Sequence, residues 1–408
     1  VPDLILSGNF MPLIVQKFGG TSVGTIARMG IVADIIAESR NKGHQLVVVV
    51  SAMGHETDRL KEMALEITKA PAPREMDMLL TAGERVSMSL LSIALQARGI
   101  VSKSFTGSQS GILTDGVHGN ARIERILGDR IRNAVNEGAV AIVAGFQGMC
   151  TDTKEITTLG RGGSDLTAVA LAVSLKAHAC EIFTDVRGVC SADPRSVSDA
   201  RVLEKLSWSE MTELAWMGAG VMHTRAAHLA EINQMPVIIR SSFERSAPGT
   251  VVEGLSMEKV HVSAIAQKSD AALISLRFGL EDKRAVSDSI DWLWKRGVHP
   301  LVCQQSLQAG DAVELKMIFD NEHLQDYVAW IDDRFARSSP MHLITDGLAA
   351  ITIVGHGFWQ SPETIAKIVE VVEAPIELID IKNNAVTICV DAVAASEIVK
   401  KLHSALIA

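Results

Sequence analysis

Aromatic residues are scarce in this chain: they make up 4% of its 408 residues, and Tyr327 is the single tyrosine. Apolar residues still reach 47%. The apolar mass is therefore aliphatic, which suits helices packed on a buried parallel sheet. Cysteine is sparse too. The five present, at 150, 180, 190, 303 and 389, show no CxxC spacing and an odd count, so a reduced, cytoplasmic compartment is the simpler expectation. No uninterrupted apolar run approaches the ~18–20 residues of a membrane span. The longest, such as 46–50 and 139–144, have strand length. A long basic run is missing as well, and the net charge is 39 − 48 = −9. Neither nucleic acid nor an anionic membrane is then expected as a partner. Residues 1–10 lack the charged start and long apolar stretch of a signal peptide, and read as an extension with Met11 as the natural start.

What is present is a globular balance, with 21% charged residues and length for two to four domains. Short apolar strands alternate with amphipathic helices over the first 250 or so residues, the pattern of stacked β–α units. Strands are expected at 13–18, 46–50, 101–105, 139–144, 181–184 and 236–240, and helices at 25–40, 75–98, 122–137, 165–176 and 207–217. After Pro248-Gly249-Thr250 the texture changes to two smaller units with a βαββαβ rhythm. The first has strands at 272–278, 298–303 and 312–318 and helices at 283–295 and 323–335; the second runs from 348 to 406. Residues 260–266 could add a strand to either unit. Exposed sheet edges would suit these units to pair with each other or with a second chain.

Four stretches could carry chemistry. Lys17-Phe18-Gly19-Gly20-Thr21-Ser22-Val23 lies between a strand and a helix. Its glycines let backbone N–H groups approach an anion, and Lys17 adds a mobile charge, although a plain glycine turn is the alternative. The Lys precedes the glycines, so the Walker pattern is not met. Thr157-Thr158-Leu159-Gly160-Arg161-Gly162-Gly163-Ser164-Asp165 combines glycines, a cation, a hydroxyl and a carboxylate at a helix start; Ser164 or Asp165 could equally be a cap. Ser51 to Asp58 follows a strand end, where ligands bind in open α/β sheets. Glu84, in an apolar helix, is either a surface acid or a ligand for a substrate cation. The last stretch, Thr184 to Arg195, follows a strand and would alone be a solvent loop.

Taken in order, KFGGTSV (17–23), TTLGRGGSD (157–165), TDVRGVCSADPR (184–195), RSSF (240–243) and PGT (248–250) resemble the aspartate kinases of the amino-acid-kinase superfamily. The tail resembles that family's tandem ACT regulatory modules. The resemblance implies an α/β fold: a three-layer αβα kinase domain over 11–254 with a mainly parallel central sheet, then two α+β, ferredoxin-like ACT modules over 260–340 and 345–408. It implies transfer of the γ-phosphoryl of ATP, with Mg²⁺, to the side-chain carboxylate of L-aspartate, opening the route to lysine, methionine and threonine. An ionised carboxylate needs no strong general base, so catalysis is positioning plus neutralisation of negative charge. The resemblance assigns Lys17, with Gly19, Gly20 and Ser22, to the transferring phosphoryl, and Asp165 to orienting Lys17. Arg161 would clamp the α-carboxylate and Glu84 the α-ammonium. Ser51, Thr57, Ser164 and Phe146-Gln147-Gly148 would complete the substrate pocket. Thr184, Asp185, Cys190, Asp193 and Arg195 would surround the nucleotide. A homodimer or higher homo-oligomer and an amino-acid effector at the ACT modules are also implied; a protein ligand for the metal is not.

The sequence departs from the family in places. Gly220 stands where a nucleotide-contacting Lys is usual, Thr224 at a Pro position, and Cys190 where a Tyr is common near adenine. One lost phosphate contact would cost about 1.5–3 kcal/mol unless Arg225 or Arg187 replaces it. In the first module, Gly297-Val298-His299-Pro300 replaces an acidic or amide stretch, so an absent or altered response to lysine or threonine is expected.

Overall fold

A computed structural model describes residues 11–254, 261–279, 283–296, 298–308, 312–320, 323–334 and 341–407. The extension 1–10, Val260, Gly297, Phe335 and the outer limits of the expected modules at 340 and 408 lie outside these residues. The described chain divides into two compact units. One holds 11–189, 202–215 and 220–254; the other holds 190–201, 216–219 and 261–407.

In the first unit the elements run β1 (Leu13–Phe18), α1 (Ile26–Asn41), β2 (Gln45–Val50), α2 (Glu56–Ile67), α3 (Pro73–Gln96), β3 (Ser102–Phe105), β4 (Ile112–Thr114), β5 (Ile123–Ile126), α4 (Asp129–Asn136), β6 (Val140–Ala144), β7 (Gln147–Cys150), β8 (Ile156–Thr158), α5 (Gly163–Leu175), β9 (Ala179–Thr184), β10 (Lys205–Leu206), α6 (Trp208–Trp216), α7 (Thr224–Ile232), β11 (Val237–Ser241) and β12 (Thr250–Val252). Eight strands form the main sheet in the order β10-β12-β11-β9-β1-β2-β6-β3. From β11 to β3 every neighbouring pair is parallel, and β12 joins antiparallel. Strand alternation sorts the side chains. Ile14, Phe18, Leu46, Val48, Val50, Val140 and Ile142 pack with α1 and α3 residues such as Met29, Val32, Ile36, Leu91 and Leu95. The opposite face receives α4 and α5. Ten consecutive residues of α5, Gly163 to Ala172, are buried, because α7 covers its outer side. The three-layer αβα arrangement that the resemblance implies is the one present.

Two local expectations change. Residues 122–137 are not one helix: β5 comes first, Gly128 turns the chain at φ +71°, and α4 follows. β5 pairs with β4 in a separate small sheet of order β5-β4-β7-β8, a tertiary partner that outweighs local helical preference. The expected strand 298–303 begins only at Val302, since Pro300 has no N–H to give a ladder. On length and composition α3 could cross a membrane; in this fold its Asp77 and Glu84 are buried.

The second unit contains β13 (His261–Gly279), α8 (Lys283–Lys295), β14 (Val302–Gln308), β15 (Ala312–Asp320), α9 (Leu324–Arg334), β16 (Met341–His356), α10 (Pro362–Val371), β17 (Leu378–Ile381), β18 (Ala385–Asp391) and α11 (Ala392–Leu406). One antiparallel sheet, β14-β15-β13-β16-β18-β17, runs through both halves. The anticipated edge pairing between modules thus takes the form of two long shared strands. Residues 271–279 of β13 pair with β15, while 261–268 run beside 350–356 of β16. The first half reads βαββαβ around Trp292, Phe319 and Tyr327. In the second half Ile265, from the start of β13, joins the core of Ile351, Ile388 and Leu402.

Candidate active site

The site stands at the carboxyl ends of the parallel strands, around β1, where the chain's connections change direction across the sheet. Alternation in β1 turns Ile14 and Phe18 toward α1 and leaves Lys17 on the α5 side. There its Nζ lies 2.7 Å from Oδ1 of Asp165, in the first turn of α5, with the two side chains 12% and 11% exposed. The contact is an ion pair without hydrogen-bond alignment at Oδ1. The other oxygen, Oδ2, accepts a bond from the His223 N–H at 3.3 Å. Burial lowers the His223 imidazole below its ordinary value, which suits its role as a neutral cap whose Nδ1 accepts from the Arg225 N–H.

Two glycines are required by close approach. Gly162 has φ +69°, and a Cβ there would sit 2.1 Å from Cγ of His223. A Cβ on Gly20 would press within 3.0 Å of the carbonyls of Ala52 and Gly54. Gly54 N–H also donates to Gly20 O at 3.0 Å, so the loops after β1 and β2 lock together. Gly19 borders Lys17 Nζ. Ser22 is buried, and its hydroxyl meets that of Ser242 at 2.7 Å. Arg28 Nη2 donates to both the carbonyl and the hydroxyl of Ser242 at 2.9 Å and lies over the Phe243 ring.

Glu84 is the second focus. It is 3% exposed on α3; Oε1 accepts from Ala52 N–H at 3.2 Å, and Oε2 is buried without a partner. Burial raises its pKa to about 7. A buried carboxylate oxygen left unbonded is the arrangement expected where a ligand supplies the missing donor. Ser87 Oγ donates to Ser51 O at 2.6 Å and holds α3 against the end of β2. Thr57 is half-buried in the first turn of α2. Phe146 takes φ +68°, donates its N–H to Thr167 Oγ1 and accepts from Leu159 N–H, which seats the turn after β6. Gln147 Nε2 reaches Thr81 O on α3 at 3.4 Å, Gly148 continues β7, and Ser164 is buried beside Asp165. Arg161 is exposed, with no hydrogen-bond partner among the described residues.

Thr184, half-buried at the end of β9, donates to Oδ1 of the exposed Asp185 at 3.0 Å. Cys190, Asp193 and Arg195 belong to the second unit. There Ser191 O accepts from Ile265 N–H, and its hydroxyl lies 2.9 Å from His403 Nε2. Asp193 and Arg195 pair at 2.7 Å on the surface, and that contact holds the Asp193 carboxyl below its ordinary range. Two cations considered as substitutes for the missing Lys at 220 are engaged elsewhere. Arg187 pairs with Glu244, and Arg225 is spent on Leu159, Asn120 and Ala121. Sequence reading also missed Asp77, fully buried on α3, which binds Thr158, His118 and Gly119.

Comparison with known proteins bears on the family and the fold. Residues 12–241 match the amino acid kinase family. The chain is 41% identical over 400 residues to an aspartokinase of Geobacillus stearothermophilus, covering 97% of each. Its fold matches that of E. coli aspartokinase III in complex with aspartate and ADP (R-state) at a TM-score of 0.81, with 24% identity, over 97% of this chain and 100% of that one. The same enzyme with lysine and aspartate (T-state) matches at 0.75, again at 24% identity and with the same coverage. A family match over most of the first unit, joined to that identity along nearly the whole length, places this chain among the aspartokinases of the amino acid kinase family.

Proposed function

We propose that this chain transfers the γ-phosphoryl of ATP to the side-chain carboxylate of L-aspartate, giving 4-phospho-L-aspartate and ADP. The observation that carries the reading is the pairing of two unlike acids at the strand ends. Asp165 is buried against the Lys17 ammonium, and Glu84 is buried with an oxygen to spare. The attacking carboxylate is ionised at neutral pH, so no base must remove a proton. Lys17 meets the charge that develops on the transferring group, and Asp165 keeps its ammonium in place. The N–H groups of Gly19 and Gly20 and the hydroxyl of Ser22 supply further donors. Glu84 takes the substrate's α-ammonium and Arg161 its α-carboxylate. Ser51, Thr57, Phe146 and Ser164 shape the space between them. On the nucleotide, Thr184 and Asp185 continue from β9, and the assignment of Cys190, Asp193 and Arg195 rests on family resemblance.

Mg²⁺ would neutralise phosphate charge. The strand-end donors are ammonium, N–H and hydroxyl groups, which suit an anion, so the ion is read as arriving on ATP, held by phosphates and water. The division into a kinase domain (11–254) and two ACT modules (260–340 and 345–408) is retained as a functional one. Those modules are read as the place of an amino-acid effector, with the response to lysine or threonine absent or altered by the His299-Pro300 stretch; E. coli aspartokinase III has been solved in complex with lysine and aspartate. The sheet edges β14 and β17 support a homodimer. Five thiols without disulfides support a reducing, cytoplasmic setting for a biosynthetic step toward lysine, methionine and threonine.

Hydroxylamine trapping tests the activity. Protein, MgATP and hydroxylamine should yield a hydroxamate with aspartate and far less with glutamate. No signal with any amino acid would overturn the proposal.

A further inference from the structure

Neither group that would grip the amino-acid end of the substrate is well fixed through its own side chain. Glu84 leaves one oxygen free, and Arg161 is exposed without a partner among the described residues. Their distance from Lys17, where the phosphoryl would be transferred, must therefore be set by what holds their backbones. On one side is α3, which carries Glu84 and, about two helical turns earlier, Asp77. Asp77 is 0% exposed, and its carboxylate takes three contacts. Thr158 Oγ1 donates to it at 2.5 Å, His118 Nδ1 lies at 2.6 Å, and Gly119 N–H donates at 3.1 Å. Thr158 is the last residue of β8, just before the loop that presents Arg161. Asp77 thus ties the helix of the anion to the strand that leads to the cation.

The other side of the loop is held by Arg225, in the first turn of α7. Its Nη1 donates to Leu159 O at 2.6 Å and to Asn120 Oδ1 at 3.1 Å, and Nη2 donates to Ala121 O at 2.8 Å. Ala121 N–H in turn donates to Thr158 O at 2.8 Å. The half-buried guanidinium is aimed at backbone on both neighbouring segments, and its planar fork suits that task. The same helix end also bonds Asp165 through His223 N–H.

From this we infer that Asp77 and Arg225 are positioning residues that fix how far the Glu84–Arg161 grip stands from Lys17, and with it the discrimination of aspartate from longer acids. They act through Thr158 and Leu159 and do not touch the substrate. The inference rests on the substrate reading above. Aspartate and glutamate present the same α-ammonium and α-carboxylate, so a chain one methylene longer is rejected only if the grip cannot move back from Lys17, because a methylene by itself gives about 10- to 200-fold at most.

The test is steady-state kinetics with aspartate and glutamate in the hydroxamate assay, with thermal melting of each variant. Thr158→Val removes one bond to Asp77 and keeps the side-chain volume. It should raise KM for aspartate about tenfold, lower the aspartate-to-glutamate ratio of kcat/KM by a similar factor, and leave KM for ATP within about twofold. Thr158→Ser should restore all three. Arg225→Lys, which loses the fork, should move the same parameters in the same direction, and so should Asp77→Asn if it folds. Variants whose melting temperature falls while aspartate KM and the acid ratio stay at wild-type values would overturn the positioning role alone. Wild-type protein that forms no aspartyl hydroxamate would overturn the substrate reading and this inference with it.

Discussion

Two buried acids in the same unit have opposite surroundings. Asp165 faces an ammonium at 2.7 Å and a backbone N–H, whereas Glu84 has one backbone N–H and an oxygen facing nothing. The first arrangement is complete before any ligand arrives. The second is incomplete, and burial leaves its carboxyl with a pKa of about 7. The difference separates two tasks. A charge that must hold Lys17 in place needs its partner built in. A charge that must recognise a substrate cation has to wait for it, and the fold bears the cost of desolvation meanwhile.

The largest way to break this contrast is Lys17→Ala. It removes the built-in partner and the cation aimed at the phosphoryl, and turnover should fall at least ~10³-fold; hydroxamate formation at saturating substrates checks it, and full turnover would refute the role. Next is Glu84→Gln, which should raise KM for aspartate about 10- to 100-fold and leave KM for ATP unchanged, measured by the same assay. Stability should then separate the two acids by sign. Asp165→Asn strands the Lys17 ammonium and should lower the melting temperature. Glu84→Gln should raise it at pH 8.

The sign for Glu84 follows from linkage. Its folded pKa lies above the ordinary value of 4.5, so the folded chain holds this proton more tightly than the unfolded chain. Stability from this group is fully present below about pH 4.5. About 3 kcal/mol of it is lost as pH rises through about 7, and Gln would avoid that loss. The smallest expected effect is on the pH profile. KM for aspartate should rise as pH falls below about 7, by at most about tenfold per unit, since only the ionised carboxylate attracts the ammonium. KM for ATP should not follow.

The Lys17 side of this contrast was legible in the sequence and much of the Glu84 side was not. Glycines following Lys17 and preceding Asp165 mark strand-to-helix turns, and the family resemblance carried by these two motifs implies their pairing. Glu84 in an apolar helix read equally as a surface acid, because burial of α3 depends on β2 and β6, which are distant in sequence. Asp77 gave no signal at all. Its partners His118 and Thr158 lie 41 and 81 residues away, and no local pattern records such a contact. The sequence leaves Arg225 and Arg187 open as substitutes for the phosphate ligand; the backbone carbonyls that occupy Arg225 come from segments more than 60 residues upstream. For the fold, the β–α alternation and most elements follow from apolar periodicity, and the three layers from the family resemblance. The shared strands β13 and β16 did not, since a 19-residue strand carries two pairings that sequence cannot divide.

Proton release on aspartate binding tests the central contrast most directly. Calorimetric titration at pH 7, repeated in buffers of different ionisation enthalpy, counts protons exchanged per ligand bound. A Glu84 carboxyl with a pKa of about 7 that meets the substrate ammonium should release about half a proton per aspartate, and Glu84→Gln should abolish the release. Binding with no proton release in the wild type, or with the same release in Glu84→Gln, would contradict it.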